Sequence, residues 1–123
     1  MQREILFRGK DVKGNWHIGL LAHIGNAWYI SNKAGIATAY EVIPSTVGQY
    51  TGLTDKNGDK IFEGDILKCS NNSIYIVEWD KVNARFLGFT VGTKRYITYV
   101  GREPKSEVIG SIHDNPELLE ESE

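Results

Sequence analysis

Apolar residues recur at every second position along most of this chain, and short segments that contain Gly, Asn or Asp interrupt the pattern. In residues 16–21, for example, Trp16, Ile18 and Leu20 alternate with the intervening side chains. Successive side chains of a strand point to opposite faces, so a period of two predicts β-strands, whereas an amphipathic helix needs a period of 3.6. The sequence therefore predicts an all-β protein.

The segments between these strands carry residues that favour tight turns. Residues 13–15 and 25–26 combine Gly with Asn and predict hairpin connections. The strongest turn signal lies in residues 55–59, where Asn57 precedes Gly58. This pair predicts a two-residue type I′ turn, which requires positive φ at both positions.

Four further strands are predicted at residues 65–69, 74–79, 85–91 and 96–100. Both faces of the 74–79 segment are largely apolar, and a strand of that kind is typical of the middle of a sheet. Its Val77 and Trp79 are therefore predicted core residues.

At 123 residues the chain fits one domain, residues 1–123, with subdomains 1–44 and 45–123 meeting at the Pro44 to Gly48 segment. The predicted fold is a partly open SH3-like barrel or a compact β-sandwich. A short helical turn is expected only at the end, where Asn115 can cap a helix that starts at Pro116.

Composition excludes several classes of protein. No apolar run approaches the ~20 residues of a membrane helix, and the first residues do not resemble a secretory signal. The one cysteine, Cys69, cannot form an internal disulfide, and its period-two relation to Leu67 points it toward the core. These features predict a cytoplasmic protein without a membrane or cofactor partner.

Charge is distributed unevenly. The net charge is −2, but five acidic residues and no basic ones lie in the last ten positions, which leaves 14 basic and 11 acidic residues in residues 1–113. An excess of three positive charges favours an ordinary mixed-charge surface over a nucleic-acid footprint.

Two pairs of carboxylates could support chemistry. Glu63 and Asp65, like Glu78 and Asp80, lie two residues apart, which places each pair on one face at about 6.6 Å along a strand. Such pairs can hold a divalent ion, so a metal-dependent nuclease or other hydrolase is an alternative. Solvated acids near turns are the more ordinary interpretation, and we predict no catalytic or metal-binding residue.

A basic and aromatic region follows the second pair of acids. Small β-barrels bind single strands by stacking bases on aromatic rings beside a basic groove. The same rings must also build the core, so single-stranded nucleic acid is a second alternative. The candidate contacts are Arg85, Lys94, Arg95, Tyr99 and Arg102.

Residues 46–66 read TVGQYTGLTDKNGDKIFEGDI, and this stretch resembles the signature of the YopX family. The opening residues 3–10 with Trp16, and the closing residues 108–110 and 114–119, agree with the two ends of the family in order. The resemblance implies a small β-rich protein carried by bacteriophages and prophages, with no assigned role and no catalytic residues to transfer.

Together these observations favour a non-enzymatic phage or prophage accessory module in the host bacterial cytoplasm. A protein is the expected partner. Because a sheet that does not close leaves open edges, we also expect a homo-oligomer.

Overall fold

A computed structural model describes residues 5–31, 39–69, 73–82, 84–90, 97–99 and 106–121. Within these ranges the chain forms eleven strands and two 3₁₀ helices, Pro44–Thr46 and Pro116–Glu121. The strands are β1 (Phe7–Lys10), β2 (Trp16–Ile24), β3 (Ala27–Ser31), β4 (Tyr40–Val42), β5 (Gly48–Thr54), β6 (Lys60–Phe62), β7 (Asp65–Lys68), β8 (Ile74–Asp80), β9 (Arg85–Thr90), β10 (Ile97–Tyr99) and β11 (Glu107–Ser111).

The prediction of an all-β fold is confirmed. Hydrogen bonds order the strands β4-β3-β2-β1-β5-β6 in one sheet and β10-β9-β8-β7-β11 in the other. The described pairings are antiparallel, and they do not close a barrel. No helix within the described ranges is long and apolar enough to cross a membrane.

The chain divides into two compact units, Met1–Gly52 and Leu53–Glu123. In the first unit β2 is the longest strand: residues 16–19 pair with β1, and residues 20–24 pair with β3. The side chains of Ile30 and Val42 are buried on one face of this sheet. A strand that changes partner half way along allows the sheet to curve.

Gly9 shows how strongly the first sheet curves. A Cβ atom at this position would lie 2.9 Å from Val42 Cβ, so only the missing side chain allows β1 and the end of β4 to approach each other. The N–H of Ile43 also donates to Lys10 O at 2.7 Å. The end of β4 therefore lies beside the end of β1, although β2 and β3 stand between the two strands in the hydrogen-bonding order.

The turn at residues 55–59 differs from the prediction. The φ of Gly58 is +84°, as predicted, but Asn57 is not among the described residues with positive φ, so the turn is not type I′. The N–H of Gly58 donates to Asp55 O, and the N–H of Asp55 donates to Asp59 O. These bonds define a three-residue loop that ends in a left-handed glycine. Asp55 Oδ1 stabilises it by accepting the N–H groups of Asn57 and Asp59.

The second unit has its core around Ile61, Leu67 and Val77. β8 is the middle strand of its sheet, and Val77 is fully buried, which confirms both predictions. Trp79 is 42% exposed, so its predicted place in the core was wrong. It lies one residue from the end of β8, where its ring packs edge-on against Phe86 at 4.7 Å rather than inside the core.

The predicted turn of helix is present as the 3₁₀ helix Pro116–Glu121. It starts at Pro116 as expected, and the C=O of Asn115 accepts the N–H of Leu118 at 3.0 Å. The side chain of Asn115 faces the other way along the chain, where its Oδ1 accepts the N–H of Ser111 at 3.2 Å. Cys69 is buried, as its spacing predicted.

Candidate functional site

The four carboxylates considered for hydrolysis do not converge. The register pairs Ile66 with Ile76, which places Asp65 on the same face as Val77 and therefore opposite Glu78 and Asp80. Asp65 is 1% exposed and accepts the N–H of Phe62 at 2.7 Å, so this carboxylate helps to hold the β6–β7 turn. Within the described ranges, no group of three or more His, Cys, Asp or Glu residues is arranged to hold a metal ion.

The other acids occupy different surroundings. Glu63 is half-buried in the β6–β7 turn. Asp80 Oδ1 accepts the N–H of Val82 at 3.1 Å, and its Oδ2 accepts from Arg85 Nε at 3.3 Å. Asp80 therefore organises the loop between β8 and β9.

Of the candidate nucleic-acid contacts, the structure describes Arg85 fully and the backbone of Tyr99, which pairs with Leu87. Lys94, Arg95 and Arg102 lie outside the described residues. Arg85 pairs in register with Asp80, and Trp79 pairs with Phe86. Adjacent positions of a strand face opposite ways, so the exposed Trp79 ring and the Arg85 guanidinium lie on opposite faces of the hairpin.

A different surface stands out in the first unit. One face of β2 carries five apolar residues in succession, and we call it the β2 face. Its Ile18, Leu20 and Ile24 are 45%, 47% and 67% exposed. Ala22 is also exposed, and Trp16, at the start of the strand, is half-buried. The row is about 26 Å long at a rise of ~3.3 Å per residue.

Two cations border the Trp16 end of the β2 face. Arg8 Cζ lies 4.5 Å from the centre of the Trp16 ring, and Lys10 Nζ lies 5.5 Å from it. The β1–β2 register places Arg8 beside Ile18 and Lys10 beside Trp16, which puts both cations on the β2 face. Aromatic, basic and aliphatic side chains thus share one face of the sheet, with Nε and Nη2 of Arg8 buried in it.

Sequence reasoning missed this surface because a run of alternating apolar residues normally marks the core side of a strand. The sequence signal that could have revealed the exposed row lay in the intervening positions of β2. These positions include Gly19, which is buried. On the neighbouring strand, Gly9 of β1 pairs with His17 of β2. Two glycines on neighbouring strands leave room for close packing on that side. The more apolar row therefore lies on the outside.

A hydrogen-bonded group lies on the opposite side of β2. His17 Nε2 is 2.9 Å from Asp11 Oδ2, and the His17 ring stacks on Tyr40 of β4 with centres 4.1 Å apart. The hydrogen bond to His17 lowers the pKa of Asp11 to about 2, and the N–H groups of Asn15 and Lys13 add to the effect. Asp11 therefore stays ionised and links the β1–β2 turn to β4 through His17.

A groove of about 320 Å³ lies between that turn and the end of β4. Val12 forms one wall, and Glu41, Val42, Ile43 and Pro44 form the other. Val12 is 87% exposed at the tip of its turn. The groove is thus open to solvent and mainly apolar, with one carboxylate at its side.

Comparison with known proteins places these features in context. The family described as YopX protein matches residues 16–120. The crystal structure of protein EF1440 from Enterococcus faecalis is similar in fold, with a TM-score of 0.59 and 24% sequence identity, covering 96% of this chain and 99% of that one. Comparison with curated proteins finds no significant match. The family match spans most of the chain, and the chain therefore belongs to the YopX family.

Proposed function

We propose that this protein is a non-enzymatic phage or prophage accessory module that binds a protein in the host bacterial cytoplasm through the β2 face. The observation that carries the proposal is the row of exposed Ile18, Leu20 and Ile24 beside Trp16 and Arg8. Contiguous apolar surface rimmed by polar groups is typical of a protein interface, and Trp and Arg are frequent energetic centres of such interfaces.

The size of the apolar term supports a protein partner. Complete burial of one aliphatic side chain is worth about 1.5–3 kcal/mol. Three such residues that start about half exposed supply part of the free energy that a partner needs to offset its loss of freedom on binding.

The positive charges at one end of the β2 face indicate which charge the partner surface should carry. Arg8 and Lys10 both approach Trp16, so an acidic group on the partner gains electrostatic attraction there. The proposed partner surface is apolar with acidic residues at one edge. Self-association through open sheet edges remains a prediction, which light scattering across micromolar concentrations tests.

The experiment is affinity capture from the native host during phage induction, with both proteins and nucleic acids identified. Leu20→Lys places a charge in the centre of the β2 face, and Val82→Lys makes the same change at a loop position that is 85% exposed. We expect a protein captured by wild type and Val82→Lys to be lost with Leu20→Lys. Equal capture by all three forms would contradict the proposal.

Single-stranded nucleic acid is the second candidate partner. Its proposed binding site is the β2 face rather than the region around Arg85. Trp16 with two cations supplies a ring and positive charge on the same face, which Trp79 and Arg85 do not. Gel-shift measurements with a single-stranded oligonucleotide at low salt test it, and a complex abolished by Leu20→Glu but not by Val82→Glu would favour it, since a carboxylate on the binding face repels the phosphates.

A further inference from the structure

Beyond the β2 face, we propose that the outer edge of β4 binds an extended peptide by strand addition, with an apolar side chain entering the groove and a basic side chain beside Glu41. The site is separate from the β2 face, and the argument rests on the backbone direction of β4, the lining of the groove and the charge of Glu41.

The first step concerns the backbone of β4. β4 ends the order of its sheet and pairs on one side with β3. Ile43 has extended φ and ψ of −75° and 120°, and its N–H points away from β3 to Lys10 O. In a strand, the N–H groups of residues two apart point to the same side. The N–H and C=O of Glu41 therefore lie on the outer edge of β4, where a further strand can pair with them.

The second step concerns side chains. In an added strand, the residue opposite Glu41 shares the face of its carboxylate, and the residues on either side share the face of Val42. Glu41 is exposed and Val42 is buried. The edge thus favours an apolar-basic-apolar pattern, in which a lysine or arginine lies beside Glu41.

The groove supplies the apolar contact. Val12, Ile43 and Pro44 line it, and a volume of about 320 Å³ accommodates one large aliphatic side chain. Hydrogen bonds hold the turn that carries Val12, because Asp11 accepts two N–H groups of its own turn while contacting His17. The stack of His17 on Tyr40 in turn connects this wall to β4.

The test begins with selection from a library of short random peptides displayed on phage. On the wild-type protein we expect peptides with alternating apolar residues around a central lysine or arginine. On Glu41→Lys we expect the central preference to change to aspartate or glutamate. Glu117→Lys, a charge reversal at an exposed residue of the second unit, should keep the wild-type preference.

A selected peptide then distinguishes strand addition from simple attraction. Methylating the peptide nitrogen that pairs with Glu41 C=O should weaken binding by roughly tenfold or more, since it removes a donor without changing charge. Val12→Asn, which removes the apolar contact without adding charge, should weaken binding by a similar factor, whereas Val82→Asn, at an equally exposed loop valine, should not. Binding should also slow hydrogen exchange at the Glu41 amide.

Four results would overturn the proposal. Three of them are enrichment of acidic or pattern-free peptides on wild type, equal affinity for the methylated peptide, and equal affinity of Val12→Asn and wild type. A wild-type dimer that pairs through β4 and enriches no peptide would also overturn it and assign this edge to a second copy of the chain.

Discussion

Aspartates at the start of hairpin loops organise both units of this protein. Asp11 and Asp55 each accept two N–H groups of their own loop through Oδ1. In each loop a glycine three residues later, Gly14 or Gly58, adopts positive φ. The second oxygen of each carboxylate contacts a different strand, through His17 in the first unit and the N–H of Val108 in the second. One short sequence pattern therefore shapes a turn and also attaches it.

For Asp11, we expect a carboxyl titration midpoint near 2, below its ordinary value of 3.8, because His17 and two backbone N–H groups favour the ionised form. A folded-state pKa below the unfolded one gives stability that is present above pH ~4 and is lost as the pH falls toward 2. Carbon-detected NMR titration measures the midpoint directly. In His17→Gln it should move up toward 3.8, and an unchanged midpoint would show that the backbone N–H groups alone cause the shift.

Asp55 is more deeply buried, at 7% exposed. Burial opposes its ionisation, but the N–H groups of Val108, Asp59 and Asn57 outweigh that effect and lower its pKa. Asp55→Ala leaves these donors without an acceptor, and we expect a loss of about 2–4 kcal/mol in the free energy of unfolding. Urea denaturation at neutral pH measures it, with the exposed Asp59→Ala as control. The loss should shrink in acid, because the wild-type carboxylate also becomes protonated as the pH falls through its lowered pKa.

At the scale of elements, substitutions in β8 and in the loop after it compare a buried position with an exposed one. Val77→Asp places an unpaired carboxylate in the core of the second unit, and we expect a loss of more than about 4 kcal/mol or failure to fold. Val82→Asp makes the same change two residues beyond the end of the strand and should alter stability by less than about 0.5 kcal/mol. Thermal unfolding compares the two. Similar melting temperatures would contradict the assignment of Val77 to the core.

The sequence predicts where the strands lie along the chain better than it predicts which of their residues are buried. The apolar faces of residues 74–79 predicted the central strand, because both sides of a middle strand need cover. They could not show that Trp79 lies beside a loop, since periodicity gives the face of a residue but not its distance from the end of the sheet. In the same way, periodicity could not show that Gly9 permits a close approach of Val42 on the inner side of the first sheet, which is the side opposite the exposed row on β2. Contacts between distant strands leave little trace in local sequence.

At the scale of the molecule, the main asymmetry is electrostatic. Residues 1–113 carry three excess positive charges, and the last ten residues carry five negative ones. Three of the acids, Glu117, Glu120 and Glu121, lie within the 3₁₀ helix, and Leu118 of the same helix is half-buried. A deletion after Leu118 can therefore change the charge of this C-terminal segment without removing its half-buried leucine.

Deletion of residues 120–123 separates these roles. It removes Glu120, Glu121 and Glu123, changes the formal charge from −2 to +1, and keeps Leu118 in place. We expect the melting temperature to change little, because the removed acids follow the half-buried leucine.

If the body binds single-stranded nucleic acid, the shortened protein should bind an oligonucleotide more tightly at low salt, since the acids no longer oppose the phosphates. The gain should decrease as the Debye length falls from ~30 Å at 0.01 M salt to ~8 Å at 0.15 M. Undetectable binding by both forms at low salt would remove the nucleic-acid alternative, and the β2 face would then be left to a protein partner.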